Sequence, residues 1–295
     1  MEQGQLVEAS VRALVGRISY INVEPVYYGL GGGQRPDWLK MIDGAPTVLN
    51  GMMAEGKIDI SPVSSVAYAR NQKAWMILPD LSISCFGEVM SVVLVSRFPL
   101  EALEGKKILL TADSATSVDL LKLILAMKGI RPIFETGVIE GRGDLPADAA
   151  AALVIGDAAL TGGWQGYFPH ILDLGALWLE LTGLPFTFAL WTVRRSFALA
   201  HPGVVSQVVR LFEISKQTGY ENMDRVVENA GLKTGLSRGI CTRYYERLDC
   251  DLKYAHLRGL ETFFSGLHRE GILPEKIRLE FFDPDHHTAS GMETK

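Results

Sequence analysis

Residues 108–127 constrain the fold of this chain more than any other stretch. A short apolar run at 108–110 passes through Thr, Asp and Ser residues into an apolar segment long enough for a helix, which predicts strand, tight loop and buried helix. Thr116 and Asp119 have the spacing of a capping box. The loop should therefore present backbone N–H groups and hydroxyls at a helix N-terminus, where anions bind. Alternatively, Thr116 and Ser117 only cap the helix, which is worth about 1 kcal/mol.

Polar residues recur at four places where a predicted strand gives way to a predicted helix. These are Asn22, Ser64 with Ser65, the stretch from Thr111 to Ser117, and Asp157. In open α/β sheets, ligands bind outside the carboxyl ends of the strands, where loops and helix N-termini meet. Two junctions precede a charged hinge predicted at 99–107 and two follow it, so we expect two α/β lobes with a cleft that binds a small anion. Asp157 has an alternative interpretation as an ordinary N-cap.

The same pattern predicts the domain organisation. We expect an N-terminal extension at 1–15, a first lobe made of 16–98 and 192–284, a second lobe at 99–191, and a flexible tail at 285–295. A strand-like stretch at 181–193 is predicted to return the chain to the first lobe. Amphipathic spacing from residue 202 onward predicts C-terminal helices, and the sequence gives no indication of the oligomeric state.

Composition and charge limit the class of function. Of the 295 residues, 47% are hydrophobic and 21% charged, as in globular proteins. A net charge of −5 without a dense basic run argues against nucleic-acid binding. No apolar run reaches the roughly 20 residues that span a bilayer, and the first residues do not resemble a secretory signal. We therefore expect a cytoplasmic protein with no membrane partner, and the spacing of Cys85, Cys241 and Cys250 suggests neither a disulfide framework nor a metal site.

Several motifs in a fixed order carry a resemblance to a known family. They are Gly16-Arg-Ile-Ser-Tyr-Ile-Asn22 with Pro25, Asp59-Ile-Ser-Pro-Val-Ser-Ser65 with Tyr68-Ala-Arg70, Leu78-Pro-Asp-Leu-Ser-Ile-Ser84 with Gly87-Glu-Val89, Ser114-Ala-Thr-Ser-Val118, Leu153-Val-Ile-Gly-Asp157, and Trp178 with Thr182-Gly-Leu-Pro-Phe-Thr-Phe-Ala-Leu-Trp191. In these motifs the chain resembles the MqnA family, the chorismate dehydratases of the futalosine pathway of menaquinone biosynthesis. The resemblance implies an α/β, two-lobed fold like that of type II periplasmic binding proteins, with the ligand cleft between the lobes. It also implies a lyase that removes water from chorismate to give 3-[(1-carboxyvinyl)oxy]benzoate without a cofactor or metal.

Two other functions remain open at this stage. The sister family MqnD shares the fold but acts on cyclic dehypoxanthine futalosine, and its opening motif and active-site histidine are not evident here. His170 is the histidine nearest to a matched motif, and we interpret it as a surface or packing residue. A non-catalytic solute-binding or sensor protein for a small organic anion would have the same fold, but predicts a secretion leader and a permease partner.

The resemblance also implies roles for individual residues. The expected substrate-binding residues are Ser64, Ser84, Gly87, Thr111, Ser114, Thr116 and Ser117. The loop from Ser114 to Ser117 would hold a substrate carboxylate through N–H and hydroxyl donors, and Ser84 would be a second donor. Asn22 would orient the enolpyruvyl group. The proton acceptor is either Asp157 or the substrate's own carboxylate; we favour the latter, because intramolecular delivery can lower a barrier by up to ~7 kcal/mol.

Overall fold

The computed structural model describes residues 11–31, 35–137 and 144–284. The predicted tail at 285–295 and residues 1–10 of the predicted extension lie outside this description. The described residues form two β-sheets with helices packed around them. Among these helices, none combines the length and the apolar character needed to cross a membrane.

Eleven strands are found in the described part of the chain. They are β1 (Ala13–Ile18), β2 (Leu39–Gly44), β3 (Ile60–Ser64), β4 (Trp75–Cys85), β5 (Val92–Ser96), β6 (Lys107–Leu110), β7 (Ile133–Thr136), β8 (Ala149–Ile155), β9 (His170–Asp173), β10 (Phe186–Arg194) and β11 (Leu248–Asp249). The α-helices are α1 (Glu24–Tyr27), α2 (Pro46–Ala54), α3 (Ser65–Asn71), α4 (Ala115–Met127), α5 (Gly156–Thr161), α6 (Leu174–Thr182), α7 (Arg195–Ala200), α8 (Pro202–Glu221), α9 (Met223–Thr234), α10 (Arg238–Arg247) and α11 (Tyr254–Arg269).

The first sheet has the strand order β11-β4-β10-β3-β1-β2. β1 is parallel to β2 and β3, whereas β10 runs antiparallel between β3 and β4. Because β1 and β3 point the same way, Asn22, which follows β1, and Ser64, which ends β3, come to the same edge of the sheet.

The second sheet has the strand order β7-β6-β8-β5-β9. β6 is parallel to β7 and β8, and β5 is antiparallel to β8 and β9. All five residues of β5 are buried, as are the first six of β8, which explains why these strands read as continuous apolar runs. The carboxyl ends of β6 and β8 again share an edge, and they lead to Ser114 and Asp157.

The chain crosses between the sheets twice, earlier than the predicted hinge implies. β5 belongs to the second sheet although its sequence lies before residue 99, and β10 lies in the first sheet although it begins before 192. The crossovers therefore fall at 86–91 and 174–185. We propose these segments as the lobe boundaries.

Two details of the first sheet concern its strands. β4 continues through Asp80 as one strand, although Asp80 adopts a left-handed backbone (φ 54°). The pairing of β4 with β10 shifts register across this position. β1 begins at Ala13, inside the predicted extension, and ends at Ile18.

Three groups of buried apolar residues hold the elements together. The largest group spans both sheets and α8 and α11, while a smaller one lies on one face of the second sheet. The third group, here called the C-terminal cluster, consists of Ile21, Val226, Val227, Ala230, Cys241, Tyr244 and Tyr245. Met90, in the crossover after β4, and Leu160, in α5, pack against the C-terminal cluster. Helices α9 and α10 therefore contact both the turn after β1 and helix α5, which follows a strand of the second sheet.

Candidate active site

A cavity with about 580 Å³ of empty space, part of it open to solvent, lies between the two sheets, at the edge where the polar junctions meet. Ile18, Ile83 and Phe188 line it from the first sheet, and Val92 and Ile155 line it from the second. The walls are thus apolar strand residues, and the polar groups are concentrated at the starts of helices.

Four of the expected site residues meet in this cavity. Asn22 and Ser64 come from the first sheet's edge, and Ser114 and Ser117 come from the start of α4. Pro46 at the start of α2 and Gly156 at the start of α5 also line it. Since the N-terminus of a helix carries partial positive charge, this arrangement favours an anionic ligand.

The start of α4 is capped differently from the sequence prediction. Ser114 is the N-cap: its Oγ accepts from the Ser117 amide at 3.2 Å and donates to the Ser117 hydroxyl at 2.9 Å. The predicted capping box of Thr116 and Asp119 is therefore wrong. The preceding amides of this first turn, Ala115 and Thr116, have no intrahelical acceptor; from this turn, Ser114 and Ser117 line the cavity.

Thr116 and Asp119 connect α4 to α3 instead. The Thr116 hydroxyl is buried and accepts from the Val66 amide at 2.9 Å. The Asp119 carboxylate is 4% exposed and lies 3.0 Å from the Arg70 guanidinium. Burial raises the pKa of Asp119 even though Arg70 counteracts it. The expected substrate-binding role of Thr116 is not supported at its side chain, because that hydroxyl already has a protein partner.

Asn22 lies in a single 3₁₀ turn, Ile21–Val23, that follows β1. Its Oδ1 atom is buried, and it has no hydrogen-bond partner anywhere in the described part of the chain. Leaving a buried polar atom unpaired costs about 1–3 kcal/mol. An unpaired oxygen on a cavity wall is therefore well placed to accept a hydrogen bond from a ligand.

Asp157 lies just behind the wall, in the first turn of α5. The N-cap of α5 is Ile155, so the alternative that Asp157 is the N-cap is wrong. Burial raises the pKa of the Asp157 carboxyl, although the nearby Lys233 and the Ile21 amide act in the opposite direction. Asp157 is not among the residues that line the cavity.

Three other expected site residues lie outside the cavity lining. Ser84 is fully buried, and its hydroxyl bonds with those of Ser82 at 2.6 Å and Thr187 at 2.9 Å. Gly87 makes a buried turn with φ 100°. The Thr111 hydroxyl accepts from the Asp113 amide at 3.1 Å. Ser84 is thus occupied by a hydroxyl network inside the first sheet.

The sequence analysis missed several residues that do line the cavity, including Tyr20, Ser91, Asp113 and Phe188. Burial raises the pKa of the Tyr20 hydroxyl, and the nearby Asp113 and Asp157 raise it further. Tyr20 stands in the same strand-to-helix junction as Asn22, and that position was the available signal. Within the described residues, no group of three or more His, Cys, Asp and Glu side chains is arranged to hold a metal.

Comparisons with known proteins agree with this geometry. A family model described as menaquinone biosynthesis matches residues 13–269. Chorismate dehydratase from Thermus thermophilus is 29% identical over 270 residues, which cover 86% of this chain and 94% of that protein. A 1,4-dihydroxy-6-naphtoate synthase from the same organism is 27% identical over 213 residues, or 63% of this chain and 74% of that protein.

Solved structures identify the fold. The alkanesulfonate-binding protein SsuA from Xanthomonas axonopodis pv. citri, bound to MOPS, matches with a TM-score of 0.65 at 14% identity, covering 91% of this chain and 96% of that chain. This likeness confirms the two-lobed, periplasmic-binding-protein-like fold that the sequence resemblance implied, with one sheet at the centre of each lobe.

Proposed function

The chain belongs to the menaquinone biosynthesis family, and from that premise we propose that it is a chorismate dehydratase. It removes the proton from C3 and the hydroxyl from C4 of chorismate, and the C3–C4 double bond that forms makes the ring aromatic. The products are water and 3-[(1-carboxyvinyl)oxy]benzoate, in the futalosine pathway. The elimination is redox-neutral and strongly downhill, so the protein's tasks are to bind, orient and assist proton transfer.

The observation that carries the proposal is the match to a chorismate dehydratase over 94% of that protein. The naphtoate synthase matches over a smaller part of both chains. In addition, no histidine is among the described residues lining the cavity, whereas the sequence analysis associates a cleft histidine with the sister enzyme. A cytoplasmic location stays a prediction from the sequence.

Substrate carboxylate binding is assigned to the start of α4. The hydroxyls of Ser114 and Ser117 line the cavity, at the N-terminal turn of a thirteen-residue helix whose first amides have no intrahelical acceptor. Charge-assisted hydrogen bonds of this kind are roughly twice as strong as neutral ones. The second anionic group of chorismate then lies toward the first lobe, where Asn22 lines the opposite wall.

Asn22 orients the enolpyruvyl group in this scheme. Its amide nitrogen donates to the enolpyruvyl carboxylate, and its unpaired Oδ1 accepts from the ring hydroxyl. Holding that carboxylate near C3 lets it accept the C3 proton. Well-oriented intramolecular reactions of this kind can lower the barrier by about 7 kcal/mol.

Asp157 supports the site without being the obligatory base. It is not among the cavity-lining residues. Asparagine has nearly the same shape as aspartate, so we expect Asp157→Asn to keep turnover within about tenfold. A loss of several orders of magnitude in kcat would make Asp157 the base instead.

The direct test is to incubate the purified protein with chorismate and follow formation of the benzoate product by chromatography. Asn22→Ala should lower kcat/KM about 100-fold, because small misplacements of the reacting groups have effects of this size. Asn50→Ala is a matched control: Asn50 also has a buried, unpartnered Oδ1 but is not among the cavity-lining residues, and should retain activity. Turnover of cyclic dehypoxanthine futalosine instead of chorismate would assign the sister reaction, and tight binding of chorismate without turnover would indicate a receptor.

A further inference from the structure

Two adjacent tyrosines on α10 reach the back of the cavity wall from the C-terminal helices. Tyr244 and Tyr245 are 1% and 6% exposed, and their ring centroids lie 5.5 Å apart within the C-terminal cluster. Neither ring lines the cavity. The Tyr244 hydroxyl nevertheless contacts a residue that lines the cavity, and the Tyr245 hydroxyl contacts the residue before one that lines it.

Tyr245 holds the turn that carries Asn22. Its hydroxyl donates to the Ile21 carbonyl at 2.9 Å in a buried hydrogen bond. This bond fixes the backbone of the residue that immediately precedes Asn22. Ile21 itself is fully buried.

This attachment matters because the Asn22 side chain has few other partners. Its Oδ1 has no partner among the described residues, so its orientation toward a ligand depends on where the backbone of the preceding residue is held. The Tyr245 hydroxyl is therefore one residue away from the group that orients the substrate.

Tyr244 makes the corresponding contact on the other side of the cavity. Its hydroxyl lies 3.4 Å from Ser91 Oγ, and Ser91 lines the cavity. The Ser91 carbonyl accepts from the Gly156 amide at 2.8 Å, which ties it to the start of α5. Two neighbouring residues of α10 thus contact Ser91 on one cavity wall and the backbone just before Asn22 on the other.

We propose that Tyr245 is a positioning residue that acts through Asn22, and that Tyr244 does the same more weakly through Ser91. The role in turnover rests on the proposed function. Neither tyrosine touches the substrate; each fixes the wall residue beside it, so the α10 pair sets the spacing between Asn22 and Ser91 across the cavity.

Tyr245→Phe removes only the hydroxyl. We expect kcat to fall about tenfold while KM changes little, because loss of orientation affects the reaction more than ground-state binding. Tyr244→Phe should lower kcat by about threefold, since a 3.4 Å contact is at the long end for a hydrogen bond. Tyr68→Phe is the control: Tyr68 is equally buried, but its hydroxyl donates at 2.9 Å to the carbonyl of Arg278, which is not a cavity-lining residue. It should lose stability without the kcat change.

Hydrogen exchange without substrate gives a readout that is independent of turnover. Tyr245→Phe should speed exchange at the amides of residues 21–23, and Tyr68→Phe should leave them unchanged. Unchanged exchange in Tyr245→Phe, or unaltered kcat in an enzyme that dehydrates chorismate, would overturn the positioning role. If the wild type does not turn over chorismate, the proposed function fails, and the exchange result alone decides whether Tyr245 holds this turn.

Discussion

The starts of α3 and α4 look alike in sequence but differ in what their amides contact. Each follows a buried strand, and each has a serine N-cap whose hydroxyl accepts from the amide three residues on: Ser64 from Ala67, and Ser114 from Ser117. At α3, the Val66 amide is also satisfied, by the Thr116 hydroxyl of the opposite lobe. At α4, the corresponding turn faces the cavity.

The comparison shows that a capping serine locates a helix start but does not say what its amides bind. The neighbouring element decides this. At α3 the neighbour is α4 itself, which supplies Thr116 and, one turn later, Asp119 for Arg70. The start of α4 therefore contacts α3 through the side chains of Thr116 and Asp119 and lines the cavity through Ser114 and Ser117.

Placing a charge at the α4 start should have the largest effect. Aspartate is as good an N-cap as serine, so Ser114→Asp keeps the helix but sets a carboxylate against an anionic substrate. Like charges brought together in a site cost several kcal/mol, so KM for chorismate should rise at least ~30-fold. The control is Ser237→Asp, at the exposed N-cap of α10, where steady-state kinetics should be unchanged. An unaltered KM in Ser114→Asp would remove α4 from the binding site.

Removing the Thr116 hydroxyl should affect stability rather than binding. Thr116→Val leaves the buried Val66 amide without its acceptor, which should lower the free energy of unfolding by about 1–3 kcal/mol in urea titrations. Thr116→Ser keeps the hydroxyl and should recover most of this loss. A rise in KM as large as that of Ser114→Asp, with stability unchanged, would return the Thr116 side chain to the substrate site.

The smallest effect concerns the pH dependence of the contact between α3 and α4. Because the pKa of Asp119 is raised by burial, the folded state binds its proton more tightly than the unfolded state does. Its contribution to stability is fully present below about pH 3.9, the ordinary aspartate pKa, and is lost as pH rises through the folded pKa. The wild type should therefore gain stability relative to Asp119→Asn as pH falls from 7 toward 4. The opposite slope in paired denaturation curves would mean that Arg70 outweighs burial.

Much of the fold was predictable because local patterns and tertiary structure agree. The apolar runs of β5 and β8 are buried strands, and Pro25 and Pro46 lie in the first turns of α1 and α2. The lobe boundary was less accessible, since only pairing with β8 and β9 shows that β5 belongs to the second sheet.

Site residues were predictable where their location follows from the end of a strand. They were not predictable where it depends on contacts with residues distant in the sequence. Asn22, Ser64, Ser114 and Ser117 reach the cavity because the strand ends bring them there. Ser84 was expected beside them, but its hydroxyl bonds with Thr187, 103 residues away. The position of Tyr20 at a junction was visible, but nothing local indicated that its ring would pack over Gly156, where an added Cβ would lie 3.4 Å from it.

The three buried cysteines make opening of different parts of the molecule separately measurable. Burial raises the pKa of each thiol, that of Cys250 to about 12, and only the thiolate reacts readily with alkylating reagents. Cys241 belongs to the C-terminal cluster, whereas Cys85 and Cys250 belong to the largest core. Alkylation rates resolved by mass spectrometry would thus report how often α9 and α10 detach, independently of how often the main core unfolds.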